Sequence, residues 1–314
     1  MSVVYFVIPC YNEEEVLPEA SKRMIAKLEQ LIQKGLASKE SRLLFVDDGS
    51  RDKTWELIAG LHEASPYVCG LKLSRNRGHQ YALLAGLLAA KELCDCAVSL
   101  DADLQDDIEV LDEFLTHYED GCDIVYGVRK SRETDTRFKR GSAQMFYKFL
   151  NLMGVEVLYN HADYRLMSRR ALEALSEYKE VNLFLRGIVP LIGFKSAVVY
   201  YERHERLAGK SKYPLSKMLS LAADGILSFS IKPIRIISSL GFLIAVCSVI
   251  ALLYALISKL CGAAVSGWTA IVVSIWLLGG IQLLCLGVIG EYIGRIYSEV
   301  KQRPKYIIDQ FLKK

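Results

Sequence analysis

The chain has 314 residues, enough for one large or two small domains, and its 52% hydrophobic content is high for a purely soluble protein. A formal net charge of +3 is too small to mark a nucleic-acid binder, so no nucleic-acid partner is expected. The eight cysteines form no CxxC pair and no Cys/His set at zinc-ligand spacing, which leaves reduced thiols as their reading.

The first apolar run, 3–8, is too short for the core of a signal peptide and is followed at once by Glu13–Glu15, so it reads as a buried first strand. Further short apolar runs at 43–46, 68–73, 97–100 and 124–128 read as strands. Longer patterns at 14–34, 53–63, 80–92 and 108–118 read as helices. This alternation predicts an α/β domain with a mostly parallel sheet, in which ligands sit beyond the carboxyl ends of the strands. The polar segments fall there: Pro9–Glu15, then Asp47-Asp48-Gly49-Ser50, then Ser74–His79, then Asp101-Ala102-Asp103. No GxGxxG and no GxxxxGK[ST] is present, so simple dinucleotide or P-loop chemistry is not supported. Carboxylates at two strand ends would repel a diphosphate unless a hard divalent cation lay between them. Asp101 and Asp103 are two apart, which points both side chains the same way in an extended segment.

Beyond the fifth strand, the run from Arg129 to Arg140 holds six basic residues. It reads either as a solvated loop or as a basic segment drawn to anionic lipid and phosphate. Residues 183–194 are apolar apart from Arg186 and fit a core helix or an interfacial one equally well. Residues 213–235 have helical apolar spacing and lead into a charge-free run, 236–258, long enough to cross about 30 Å of hydrocarbon. Lys259 and a small, turn-like 261–267 follow, and 268–290 is again free of charge. Two transmembrane helices joined by a short loop are the expectation. Lys232, Arg235, Arg295, Lys301, Arg303 and Lys305 flank the pair while the loop offers only Lys259, which puts both flanks, and everything from Met1 to about Ser230, in the cytosol. The predicted organisation is a cytosolic domain over 1–212, a juxtamembrane amphipathic helix over 213–235, a membrane hairpin over 236–294 and a basic tail over 295–314.

Taken together, Ile8–Glu13, Asp47–Ser50, Ser74–His79, Asp101–Gln105, Ala162–Met167 and Glu205–Tyr213 resemble family-2 glycosyltransferases of the GT-A fold. The match is to their polyprenyl-phosphate branch, which includes bactoprenol glucosyltransferases and dolichol-phosphate mannose synthases. The resemblance implies a donor site in which Pro9, Tyr11, Glu13 and Asp48 hold base and ribose, joined by Arg75, by Gln105 beside Asp103, and by Arg129 as the basic residue after the fifth strand. It implies that Asp101 and Asp103 bind Mg2+ or Mn2+, Asp103 the more directly. It implies that Asp163 takes the position proposed as catalytic base, and that Arg206 and Lys212 lie near the phosphates. Asp106-Asp107 stands where relatives commonly carry a proline pair, which alters that loop. The QxxRW motif of processive synthases is absent, which favours transfer of a single sugar. The implied partners are a nucleotide-sugar, UDP-glucose first, a polyprenyl phosphate such as undecaprenyl phosphate, the bilayer, and further copies of the chain, with a tetramer as one form. UDP-GlcNAc, UDP-galactose or GDP-mannose as donor, a hydroxyl acceptor, or a non-catalytic nucleotide-sugar-binding scaffold are the alternatives.

One point bears on Asp163. A phosphate monoester is already anionic near neutral pH, its second pKa being roughly 6, and needs less help from a base than a hydroxyl does. Asp163 is therefore expected to remove a residual proton, to hold a sugar hydroxyl, or to orient Arg165.

Overall fold

The central strand β1 (Val4–Cys10) buries all seven of its residues. A strand covered on both faces needs such a continuous apolar run. It pairs in parallel with β2 (Arg42–Asp47) on one side and β4 (Cys96–Ser99) on the other, and β3 (Val68–Leu73) extends the parallel set beyond β2. The computed structural model describes residues 1–103, 105–130, 161–180, 185–202 and 267–314, with isolated positions between 234 and 250.

Helices fill the crossovers. Helix α1 (Leu17–Gln33) begins with Pro18, whose missing N–H costs nothing in a first turn. It turns Leu17, Ala20, Met24, Leu28 and Leu31 toward the sheet, a stripe at helical spacing. Helix α2 (Thr54–Ala64) follows β2 and packs Ile58 over Gly70 of β3. Helix α3 (His79–Ala90) is apolar around most of its circumference and buries Ala82–Leu87 continuously. It lies so close to the sheet that a Cβ on Gly86 would come within 2.3 Å of the Val7 side chain. After β4, a short 3-10 turn (Ile108–Val110) leads into α4 (Leu111–Glu119) and β5 (Ile124–Arg129).

In the far half of the sheet one strand reverses direction. β6 (His161–Ser168) inserts antiparallel between β4 and β5, and β7 (Ser196–Tyr201) runs parallel to β5. Between them lie α5 (Arg169–Ser176) and α6 (Leu185–Leu191). Because β6 is antiparallel, its amino end, with Asp163, meets the carboxyl ends of β4 and β5. Helix α6 buries Leu185, Gly187, Ile188 and Val189, so these residues of the 183–194 segment pack as core. At the opposite edge, β8 (Ile308–Leu312) pairs antiparallel with β3, completing the order β7-β5-β6-β4-β1-β2-β3-β8. Residues read from sequence only as a basic tail thus form an edge strand.

The chain divides into two compact units. One comprises Met1–Tyr147, Glu156–Pro214 and Arg303–Lys314; the other comprises Lys148–Val155 and Leu215–Gln302. In the second unit, helix α7 (Trp268–Val300) has 33 residues, about 50 Å at 1.5 Å per residue. Ile271, Ile275, Leu283 and Leu286 are exposed on it. Among the described residues no helix is long and apolar enough to cross a membrane. Most of 236–266 and several side chains of 268–284 lie outside those residues. The described cysteines are all free thiols.

Candidate active site

The first two loops at the sheet's carboxyl edge lock into each other. Asn12 takes a left-handed backbone conformation (φ 52°). Its N–H donates to Ser50 Oγ, and its Oδ1 accepts from Arg51 N at 2.9 Å. Glu13 N donates to Thr54 Oγ1, Glu14 N to Asp52, and Lys53 N back to Glu14. These bonds set Pro9, Tyr11 and Glu13 beside the Asp47–Ser50 turn, with Tyr11 36% exposed to whatever fills the cleft. Gly49 has a φ of 65°, and a Cβ there would fall 2.6 Å from the backbone of Arg75. Only glycine lets the second and third loops approach this closely.

The two aspartates of the second loop divide the work. Asp47 is fully buried and accepts from Ser50 N, the local turn-capping role open to any Asp there. Asp48, 2% exposed, reaches across to accept from Arg77 N at 2.7 Å and Gly78 N at 2.8 Å. Burial pushes both carboxyls up, and the hydrogen bonds oppose that rise. Asp48 therefore fixes the loop that carries Arg75, whose side chain is exposed, and launches α3 at His79.

The fourth loop brings the acids together. Asp101 follows β4, and its side chain is 40% exposed. Partial burial in the cleft raises the carboxyl; His79 opposes this, while Asp106, Asp163 and Asp103 add to it. Asp103 Oδ1 accepts from Gln105 N at 3.2 Å, which turns the loop back. Among the described residues no three His, Cys, Asp or Glu side chains are grouped to cage a metal. Two carboxylates completed by substrate phosphates are nevertheless the usual Mg2+ arrangement. Asp101 and Asp103 fit it: their donors are hard oxygens, set two residues apart at the end of β4.

Asp163 sits across from them. Ser99 Oγ donates to the Asp163 carbonyl, which ties β6 to the end of β4. Arg165 Nη2 lies 2.6 Å from Asp163 Oδ1, and Arg186 reaches Oδ1 through Nε at 3.2 Å and Oδ2 through Nη2 at 3.0 Å. His79 Nε2 bridges the two acids, 3.6 Å from Asp101 Oδ1 and 3.7 Å from Asp163 Oδ2. Burial alone would raise the Asp163 carboxyl, but Arg186 and Arg165 outweigh it and hold it well below the usual carboxylate range. The result is a fixed anion, poorly suited to accepting a proton near neutral pH.

Arg129 closes β5 and joins a hydrogen-bonded triad. Its Nε donates to Tyr201 Oη at 3.2 Å and its Nη2 to Asp106 Oδ1 at 3.4 Å, while Tyr201 Oη donates to the same carboxylate at 2.6 Å. Asp106 is 5% exposed, so this buried triad pins the segment just after Gln105. Arg206 and Lys212 lie outside the described residues.

Arg186 and Asp106 were noted in the sequence but not assigned to the site, and Tyr201 was not noted at all. A lone arginine in an apolar stretch was itself a signal, because a buried guanidinium requires a carboxylate partner. For Tyr201, at the end of an ordinary apolar strand, no such signal exists.

A model of glycosyl transferase family 2 matches residues 5–176, and a model described as the GtrB C-terminal hairpin matches residues 232–296. An uncharacterized glycosyltransferase of Bacillus subtilis, YkoT, is 56% identical over 98% of the chain and 91% of its own length. A prophage-derived bactoprenol glucosyl transferase of Shigella flexneri is 41% identical over 97% of both. Among solved structures, a mannosyltransferase from Pyrobaculum calidifontis in complex with GDP-Man and Mn2+ covers 96% of this chain and 88% of its own, at 14% identity and a TM-score of 0.51. That likeness is one of fold.

Proposed function

The chain belongs to glycosyl transferase family 2, and from that premise we propose that it moves one sugar, glucose from UDP-glucose, onto undecaprenyl or another polyprenyl phosphate. The transfer takes place at the cytosolic face of the plasma membrane. The bactoprenol glucosyl transferase of Shigella flexneri, similar over nearly the full length, supports the acceptor and the sugar. The match to the C-terminal hairpin family, the two charge-free runs and the exposed isoleucines and leucines of α7 support a membrane anchor.

The observation that carries the acceptor class is the pairing of Asp163. Both its oxygens are engaged by arginines. A hydroxyl acceptor would need a base at this position, whereas a phosphate monoester brings its own negative oxygen, its second pKa being about 6.

In this reading the interlocked first and second loops seat the nucleoside, with Pro9, Tyr11 and Glu13 against the base and Asp48 near the ribose. Asp101 and Asp103 would hold a Mg2+ or Mn2+ ion, which when bound neutralises charge on the departing diphosphate. Asp48 and the Asp106–Tyr201–Arg129 triad fix the third and fourth loops, so both arrive already ordered at the diphosphate. The acceptor oxygen attacks the anomeric carbon from the face opposite the nucleoside diphosphate, and the configuration inverts. An enzyme held at the bilayer meets its lipid acceptor at high local concentration. Arg206 and Lys212 guide the phosphates, and copies of the chain associate through the spans.

The test is direct. Purified full-length protein is incubated with undecaprenyl phosphate, Mg2+ or Mn2+, and each of UDP-glucose, UDP-GlcNAc, UDP-galactose and GDP-mannose. Mass detection of a glucosylated lipid phosphate is the expected result. A different sugar on the lipid corrects the donor, and no glycosylated lipid from any of them refutes the proposal.

A further inference from the structure

Asp163 is gripped by two guanidiniums, those of Arg165 and Arg186. The two arginines are not equivalent. Arg165 is a strut: its side chain is 1% exposed, and Nη1 donates to the Leu185 carbonyl at 3.2 Å. Arg186 has 35% of its side chain exposed.

The backbone beneath Arg186 is fixed. Leu185 N donates to Gln80 Oε1 at 3.0 Å, and Gly187, Ile188 and Val189 are buried behind it. The two bonds to Asp163 hold its guanidinium in one orientation, so little side-chain freedom is left to lose on binding. His79 spans from Asp163 to Asp101, which places Arg186 in the same cleft as the acids expected to take the cation. A planar, always-charged fork at the rim of such a cleft matches a phosphoryl group.

We propose that Arg186 is a phosphate-binding residue of this site, held in place by Asp163 as its positioning anion and by Arg165 as a buried support. This deepens the transferase reading and rests on it for the identity of the phosphate. The chemistry is that of a phosphoryl oxyanion, which the lipid monophosphate and the nucleoside diphosphate both offer.

The test uses the purified full chain in detergent, with UDP and farnesyl phosphate as probes, titrated into wild type, Arg186→Gln and Arg186→Lys. Arg186→Gln is expected to weaken at least one probe by about tenfold or more. Arg186→Lys, which keeps the charge and loses the fork, should fall between it and wild type. A loss confined to farnesyl phosphate, with a raised KM for the lipid acceptor and an unchanged KM for the donor, assigns Arg186 to the acceptor. A loss confined to UDP assigns it to the leaving group. Affinities for both probes within twofold of wild type overturn the proposal, as does a wild type that binds neither. If Arg186→Gln does not fold, Arg186→Lys alone decides by the same criterion. Failure of the transferase reading shows instead as absent lipid product from wild type, and it leaves the binding comparison intact.

Discussion

Replacing Tyr201 by Phe removes one oxygen from the support of the fourth loop. That oxygen donates to buried Asp106 at 2.6 Å and accepts from Arg129 Nε at 3.2 Å. Among the described residues Asp106 then keeps the longer contact from Arg129 Nη2, at 3.4 Å. A hydrogen bond to a charged group contributes about 1.5–3 kcal/mol, and a carboxylate left half-satisfied at 5% exposure should put the loss in the upper part of that range. With a urea slope of roughly 1–3 kcal/mol/M, the unfolding midpoint of the catalytic unit should fall by about 1 M. The assay can be made local. Trp55 packs in this unit, so substituting Trp268 and Trp276 by Phe leaves its fluorescence as the sole tryptophan reporter. In Asp106→Asn the phenol and amide still pair, so the two substitutions together should cost less than their sum by about 1 kcal/mol. A Tyr201→Phe midpoint within about 0.2 M of the parent, or strict additivity in the double variant, would refute the assignment of this triad as the loop's anchor.

Asp103→Ala should reduce lipid glycosylation by at least about a thousandfold, since a cation at a leaving group contributes several kcal/mol; unchanged product yield counts against the cation site. Asp163→Asn removes the anion that orients Arg186 and should lose turnover; a single-turnover rate equal to that of wild type would contradict its placement. Gly49→Ala forces a side chain into a left-handed backbone with a Cβ 2.6 Å from Arg75, so it should cost at least ~2 kcal/mol and weaken donor binding together. The pH dependence of stability has a defined sign at Asp112. Burial would raise this carboxyl, but Lys34 and the buried Lys27 hold it below its ordinary value. Its stabilisation is therefore present above about pH 4 and is lost as pH falls through the lower folded value. Asp112→Asn should be less stable than wild type at pH 6 and nearly equal to it at pH 2, by urea midpoints at each pH. Equal stability at both pH values would exclude the contribution.

The first five strands and four helices of the catalytic unit were legible because each carries its own periodicity: continuous apolar runs for strands covered on both faces, and a stripe at helical spacing for α1. The acids at strand ends were legible too, since a parallel sheet fixes which edge binds ligands, and Asp48, Asp101 and Asp103 all follow strands at that edge. Strands β6, β7 and β8 were not, because their partners are remote in sequence; β8 pairs with a strand more than two hundred residues earlier. The setting of Asp163 is the clearest case. Its carboxyl group is common to a base and to an ion-pair partner, and local sequence does not show which groups surround it. Only the tertiary structure brings two guanidiniums within hydrogen-bonding distance, one delivered from the same strand and one from a helix that reaches the site only after the chain has passed β6 and α5. Residue identity determined which charges exist; the antiparallel insertion of β6 decided which of them meet, and charge separation in a buried cleft sets protonation more strongly than residue type does.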